Sequence, residues 1–449
     1  MGIHHDWVNG IYYGGIGGYG AFSGNRGGYF IAGLSAGLRL PLSGPLFVDG
    51  SVFLGAGGGA AAFPGSGLML KEQLGIGWDF GDQELVLGAS TQSISGQNLG
   101  IDWSIGFTQS LDSVTWNPNP PVKTATTPAF KAVSISGLWG FYDPEYPITR
   151  TGAPMSNQVL LLGLLFKSEF QKDWYSTLWL MGAGGNGHDG YGKILIGLER
   201  YFRGLGPFIL APQLALGMGG GGDIDTGGGT MIQSGFSLYY PLSDTLNAQY
   251  YLGYTDSLNG PFDAWIHTLG ISWDFDTITA QSTGTDYKIK KSEASLLPFE
   301  IQIANKTYIP QSEQVNKLGK PYEDTMQFIG FSISTPLNTN WDILASTYWA
   351  WEGNIGAYAE GGFGLRYYPW RQGPYSLFLQ SELGVAGGGG VSVGKGSIWL
   401  GSLGLRYDLN NNQSIAVQLG QVGGFSSDSF KGDSIQVSFS QHLHMALKP

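Results

Sequence analysis

Apolar and polar residues alternate in strand-length runs through most of the chain. From Thr230 to Leu242, alternate positions carry Ile232, Phe236, Leu238, Tyr240 and Leu242, with Gln233, Gly235 and Ser237 between them. From Ser397 to Leu409 the corresponding face reads Trp399, Leu403, Leu405, Tyr407 and Leu409, against Ser402, Gly404, Arg406 and Asp408. Upstream, Leu70, Leu74, Ile76, Trp78 and Phe80 oppose Lys71, Gln73 and Asp79, and Glu72 interrupts the apolar face. Successive side chains of a strand point to opposite faces, so each run predicts a strand with one apolar and one polar or small face. The longest apolar run, Val159 to Phe166, is strand-sized, far short of the roughly 18 residues of a membrane helix. The pattern predicts an all-β chain.

The runs repeat. Trp174, Gly197, Leu198, Tyr201, Gly206, Pro207, Gln213, Gly217, Gly229, Tyr240, Leu242 and Gly253 recur, each 167 residues later, as Trp341, Gly364, Leu365, Tyr368, Gly373, Pro374, Gln380, Gly384, Gly396, Tyr407, Leu409 and Gly420. A weaker third copy lies upstream. Gly44, Pro45, Gly55, Gly57, Gly58, Gly59, Gly65 and Gly67 stand 162 residues before Gly206, Pro207, Gly217, Gly219, Gly220, Gly221, Gly227 and Gly229, and Trp7 answers Trp174 once small gaps are allowed. Within a unit the strand runs are 158–166, 174–182, 191–202, 207–218, 229–242, 246–255 and 264–275, preceded by 131–142; 295–305 likewise precedes the last copy. The first copy begins at the third run. Six, eight and eight runs give about 22 strands, an even number as bacterial barrels require.

Connections alternate in length. Arg203-Gly204-Leu205-Gly206, Trp370-Arg371-Gln372-Gly373 and Asn410-Asn411-Asn412 are tight, whereas Ala183 to Gly190, Gly219 to Gly228 and Gly387 to Gly396 are longer and glycine-rich. Short turns belong on the periplasmic side of an outer-membrane barrel and longer loops outside, which places both termini on the inner side. The expectation is one large antiparallel transmembrane β-barrel over 1–449, with internal repeats at about 6–110, 130–275 and 295–443; the alternative, that each eight-strand unit closes as its own small barrel, has the six-strand first copy against it, since six strands could not close alone. Stretches 111–129 and 276–294 would be inner linkers, and 143–157 and 306–325 the longest outer loops.

Composition agrees with a sheet against lipid. Gly is 74 of 449 residues, aromatics are 14% and charged residues 13%, about half the charge of a soluble domain. A net charge of −11, with no basic run beyond Lys288, Lys290 and Lys291, argues against a nucleic-acid partner. The absence of Cys excludes disulfides, thiolate metal sites and Cys-linked lipid anchors. Met1-Gly2-Ile3-His4-His5-Asp6 carries no secretory signal pattern, so the numbering is expected to describe a mature chain.

On this pattern the chain resembles the bacterial outer-membrane β-barrel (porin-like) class, without a specific family. In the final strand Gly432, Ile435, Val437 and Phe439 resemble the carboxy-terminal assembly signal of that class. Phe430 stands where a polar residue is usual, and residues 440–449 follow Phe439. Trp78, Tyr239, Tyr240, Tyr367, Tyr368, Trp370 and Tyr407, at strand ends, resemble interfacial girdles. The resemblance implies a bacterial outer-membrane location and contact with outer-membrane lipid.

Enzymatic motifs stay at the level of chance. Gly33-Leu34-Ser35-Ala36-Gly37 spells a nucleophile elbow, but about one such match is expected at this glycine content and no helix pattern follows. Gly15-Ile16-Gly17-Gly18-Tyr19-Gly20 spells a dinucleotide fingerprint without a βαβ unit. The six His form no ligand set: His4 and His5 are terminal, His188 sits in a loop, His267 in a strand, and His442 and His444 lie past the last predicted strand. An outer-leaflet lipid-modifying enzyme would need His188 or His267 as base, and a solvated loop His is the ordinary reading. Gly219 to Gly222 could cradle an anion through backbone N–H groups, though such segments more often form tight loops. No catalytic, cofactor or metal site is expected, and the chain is expected not to be an enzyme.

Parity assigns a lumen-facing set: Lys71, Gln73, Asp79, Glu199, Gln213, Arg366, Gln380, Glu382, Arg406 and Asp408. Charges inside a barrel set ion preference or hold a partner, and otherwise hydrate a polar wall. The expected function is an outer-membrane channel passing ions or small hydrophilic solutes. The alternative is a scaffold or secretion conduit whose lumen holds a partner protein or passing polymer, with a periplasmic partner also conceivable. Its supporting feature is the inward row Gly75, Gly77, Gly197, Gly217, Gly235, Gly364, Gly384 and Gly404, where another backbone could approach closely.

Overall fold

A computed structural model describes residues 2–21, 28–59, 67–80, 83–94, 96–109, 114–115, 121–123, 129–145, 148–155, 158–183, 188, 190–279, 286–288, 295–311, 314–322, 325–353, 355–426 and 429–447. Among them there is no helix, and every major strand pairing is antiparallel. The first unit contains β1 (Gly2–Asn9), β2 (Tyr12–Gly20), β3 (Phe30–Pro41), β4 (Leu46–Gly58), β5 (Leu68–Asp79), β6 (Gln83–Ile94) and β7 (Gln97–Gln109), hydrogen-bonded in that order as a seven-stranded sheet.

The second unit contains β8 (Ala129–Pro144), β9 (Val159–Gln171), β10 (Trp174–Ala183), β11 (Gly192–Arg200, resuming at Phe202–Leu205), β12 (Phe208–Gly220), β13 (Thr230–Pro241), β14 (Leu246–Ser257) and β15 (Asp263–Thr279). The third contains β16 (Ser295–Pro310), β17 (Met326–Pro336), β18 (Trp341–Glu352), β19 (Ala359–Gln372), β20 (Tyr375–Gly387), β21 (Ser397–Asn410), β22 (Gln413–Gly424) and β23 (Lys431–Leu447).

The expected single barrel does not form. β8 pairs with β15 from Ala129↔Thr279 to Pro144↔Ala264, which closes the second unit on itself. β16 pairs with β23 from Ser295↔Leu447 to Pro310↔Gly432, closing the third in the same way. Each is therefore a separate eight-stranded barrel. The physical reason lies in the first and last strand of each unit. They pair over sixteen positions in each unit, so closing locally satisfies the edge N–H and C=O groups along most of their length, and a bridge between Thr277 and Leu447 joins the two barrels.

The count of six for the first copy is also corrected. Its seven strands match the second through eighth of a complete unit. Tyr12, not Trp7, stands 162 residues before Trp174, and Trp7 lies on β1 opposite Gly14. Stretches 111–129 and 276–294 fall largely outside the described residues. Within them Val114–Thr115 pairs with β23 and Pro121–Lys123 with Asp286–Lys288.

Strands run further than the hydrophobic pattern predicts. β16 continues through Lys306 and Tyr308, placed in an outer loop by sequence, and β23 continues through His442 and His444 to Leu447. In both stretches polar residues break the outward face, Asn305 and Thr307 in β16 and Gln441 in β23, so the apolar alternation fades although the backbone ladder persists.

Three tight turns, at the end expected to face inward, share one device. Gly44, Gly206 and Gly373 occupy equivalent positions before a proline and adopt φ of 61°, 67° and 57°. A side chain there would meet the following carbonyl, so the left-handed conformation favours glycine.

The units touch head to tail at the opposite end, which carries the longer loops. β2 ends at Gly20, which abuts Met218 of β12; Gly182 of β10 lies against Val385 of β20; and β18 packs on β4. These are the second strand of each unit numbered as in the first, each against the fourth of the next, so the contacts close a ring of three. The ring centre is built of small residues: Gly28 meets Gly221, Gly190 meets Gly388, and the Ala357 N–H donates to the Gly57 carbonyl at 3.1 Å. Gly28, Gly190 and Ala357 are equivalent positions, by the offsets of 162 and 167.

Candidate functional site: the barrel interiors

The barrels are inverted relative to a soluble sheet. Leu74 (66% exposed), Ile76 (59%), Leu216 (52%) and Leu383 (61%) lie on the outside, while Glu199 (0%) and Arg366 (1%) lie within. An apolar exterior is stable only against lipid, and charges survive inside only where they find partners. Trp78, Tyr240, Trp370 and Tyr407 are exposed near the inner rim, as a girdle requires, whereas Tyr239 and Tyr368 are buried and belong to the interior. Glu72 is exposed on the exterior, and nothing in the structure explains it.

In the second barrel the interior is crossed by one ion pair wrapped in tyrosines. Lys167 Nζ lies 3.8 Å from Glu199 Oε2 and donates to the Tyr201 hydroxyl at 2.6 Å. The Tyr239 hydroxyl donates to Glu199 at 2.8 Å, and Gln213 donates to Thr177 at 3.2 Å. Nearer the outer end, Lys193 donates to Gln233 at 2.5 Å.

In the third barrel Glu300 gathers two arginines. Its Oε1 accepts from Arg366 at 3.2 Å and its Oε2 from Arg406 at 2.6 Å. Arg366 also donates to Gln380 at 2.8 Å, Gln380 donates to Glu382 at 2.7 Å, and Ser346 donates to Glu382. Arg406 donates to Asp408 at 2.8 Å and contacts His442. One layer outward, Lys306 pairs with Glu360 at 3.0 Å, and the Tyr308 and Tyr358 hydroxyls donate to the same carboxylate. A cavity of about 640 Å³ opens at the inner end, lined by Glu300, Asp342, Arg371, Arg406, Asp408 and His442 among others.

The first unit carries a counterpart. Arg39 pairs with Glu84 at 2.7 Å and Asp49 at 3.4 Å, and the Tyr13 hydroxyl donates to Asp49 at 3.1 Å. Lys71 is half-buried with its ammonium 4.2 Å from the centre of the Tyr19 ring, Gln73 is half-buried, and Asp79 is exposed at the strand end.

Six sequence candidates thus meet in two clusters: Glu199 and Gln213 in one, Arg366, Gln380, Glu382 and Arg406 in the other. Asp408 sits at the rim of the second, its side chain 41% exposed. Sequence reasoning missed Lys167, Lys193, Glu300, Lys306, Glu360 and His442. Extending the strict alternation of β16 and β23 past their apolar portions would have found Lys306 and His442.

The inward glycines are not free for another backbone. The Phe47 ring lies over Gly77 and the Phe378 ring over Gly404 on the paired strand, so these glycines give room to the barrels' own aromatics. Gly33 to Gly37 lies within β3, where the Ser35 hydroxyl donates to Asp6 at 2.9 Å, and Gly15 to Gly20 lies within β2. Gly221 and Gly222 pack on the backbone of Gly190 and His188, so that loop is a closed turn and not an open cradle. His188 Nδ1 lies 3.0 Å from the Gly222 carbonyl, and His267 meets the Tyr250 hydroxyl at 2.9 Å. Among the described residues no three His, Asp or Glu converge as a metal would require.

An antiparallel barrel with apolar residues outside and ion pairs inside defines a transmembrane β-barrel protein of the outer-membrane class. No family model and no curated protein matches the chain. Solved structures similar to it include the ferric enterobactin receptor of Pseudomonas aeruginosa, at 11% identity and a TM-score of 0.32, covering 97% of this chain and 81% of that one. A bacterial polysaccharide outer membrane secretin aligns at 8% identity and a TM-score of 0.25, covering 97% and 99%. The copper transporter OprC aligns at 10% identity and a TM-score of 0.31, covering 98% and 78%. The likeness is weak, and the class is carried by the chain's own strand pairing and inverted surface.

Proposed function

We propose that the protein is a bacterial outer-membrane channel of low conductance, in which small ions pass through narrow, charge-lined interiors. The observation that carries this reading is the 640 Å³ cavity of the third barrel, which leads from the inner rim to the Glu300–Arg366–Arg406 cluster. Eight strands enclose a space just wide enough for side chains to fill. Passage therefore requires rearrangement of buried ion pairs, and conduction is gated and slow. A sheath around a folded partner or passing polymer loses its support, because the barrels' own side chains occupy the space.

A second reading is a rigid membrane-embedded platform whose working surface is its loops or its inner linkers, where a periplasmic partner would dock. The crossing of both closed barrels by paired charges and aromatic rings favours it. Single-channel recording of the purified protein in planar bilayers separates the two. Discrete small steps that change size in an Arg406→Gln variant support the channel. A bilayer that stays silent at high protein density and over a wide voltage range leaves the platform.

A further inference from the structure

The first unit has no counterpart of β8 or β16. Its sheet runs from β1 to β7, and among the described residues these two edge strands do not pair with each other, whereas β8 with β15 and β16 with β23 close the other two units. β1 and β7 therefore each present a row of N–H and C=O groups to no partner strand, and lipid supplies none. The gap shows in side-chain exposure. On β7, Ile101 (72%), Trp103 (87%), Ile105 (79%) and Phe107 (66%) stand clear, whereas on β15, flanked on both sides, Trp265 (45%), Leu269 (54%) and Ile271 (51%) are half-covered.

One strand fits the gap. β1 and β7 are the ends of an odd antiparallel series, so they run in the same direction and a single strand between them is antiparallel to both. Closing β1 directly on β7, or joining a second copy inserted in the same sense edge to edge, would require parallel pairing. The rest of residues 1–449 does not supply the strand: Val114–Thr115 and Pro121–Lys123, in the linker after β7, pair elsewhere, and no run outside the described residues exceeds seven residues. A membrane-spanning strand takes about 9–11.

The chemistry of the strand follows from the repeat. Asp6 pairs with Gly15; Leu344, the equivalent of Gly15 by the two offsets, pairs with Ser334; and Ser334 faces Glu300 on β16. In the third barrel this position carries an acid that answers two arginines. In the first unit the balance is reversed. Arg39 already serves Asp49 and Glu84, and Asp6 has a hydrogen bond from Ser35 at 2.9 Å but no ion pair among the described residues. Seating an eighth strand buries Asp6, so the position opposite it calls for a cation.

We propose that the first unit accepts one extended segment of a separate polypeptide, which enters between β1 and β7 as the eighth strand. Its alternate residues are apolar toward lipid, and on its inward face a Lys or Arg meets Asp6. The acceptor is independent of whether ions cross the closed barrels, because it answers an open edge and not an interior charge.

The test is hydrogen exchange read by mass spectrometry, with β8 and β15 as the closed reference. In the full chain folded alone in detergent micelles, β1 and β7 should exchange faster than β8 and β15 by on the order of tenfold or more. The probe is a peptide of the β16 sequence, Ser295–Pro310, carrying Glu300→Lys. It should slow exchange in both β1 and β7, more strongly than the same peptide with Glu300 retained, and Asp6→Asn should abolish that preference. In protein isolated from its native membrane both edges should already be protected, in fixed ratio with a second polypeptide whose removal restores fast exchange. Protection of both edges without a second polypeptide overturns the proposal. So does a peptide that slows one edge or neither, or an equal response to the two peptides.

Discussion

The second and third barrels use the same strand order and solve the problem of interior charge differently. The second spreads one Lys–Glu pair among hydroxyls: Glu199 contacts Lys167 and Tyr239. The third concentrates charge, with Glu300 between Arg366 and Arg406. The difference matters because the two cations respond differently to losing their partner. A buried lysine can shed its proton, whereas an arginine cannot. The closed backbone therefore tolerates divergent interiors, but the penalty for breaking each one is set by its cation.

The largest break in that comparison is Glu300→Gln, which strands two guanidinium groups. It should destabilise the third barrel by about 3–5 kcal/mol, read as faster hydrogen exchange in β16 through β23 with β8 through β15 unchanged. Glu199→Gln should cost less, about 1–3 kcal/mol, because Lys167 can neutralise; the same exchange experiment compares them directly. Equal losses would remove the distinction between the cations. Gly404→Val drives a side chain into the Phe378 ring and should cost about 1–3 kcal/mol by overpacking, measured by the urea midpoint in detergent micelles. The smallest effect belongs to the rim: Arg203→Ala deletes a half-exposed pair with Asp173 at 3.1 Å and should change stability by less than about 1 kcal/mol. A loss beyond that in the same titration would mean that the rim shares in the barrel's stability.

Much of this was legible in the sequence because a strand in lipid writes its two faces into alternate residues. Leu403, Leu405 and Tyr407 face out while Arg406 faces in, as parity requires. Closure of each unit on itself was legible only as an alternative, set aside because the first copy was counted at six strands. Whether β15 returns to β8 or continues into β16 depends on hydrogen bonds between backbones, and every strand offers the same backbone groups. Residue patterns constrain which face is inside a barrel without saying how many strands share that inside. The ion-pair partners were hidden for a related reason. Glu300 and Arg406 lie 106 positions apart, and only the closure of the third barrel brings them together. Lys306 escaped because its stretch reads as a polar loop once the apolar face runs out.

The head-to-tail ring of units has a consequence for assembly. A trimer of separate barrels would form only above some concentration in the membrane and would carry three identical interiors. Joined in one polypeptide, the second and third partners are always present at the high local concentration that a short tether imposes, so the stoichiometry is fixed at synthesis and survives dilution. Symmetry is then demanded only at the contact surfaces, through Gly28, Gly190, Ala357 and their neighbours. The interiors are released from it, which is how one ring can hold an Arg–Asp–Glu cluster, a tyrosine-wrapped lysine and a two-arginine clamp side by side.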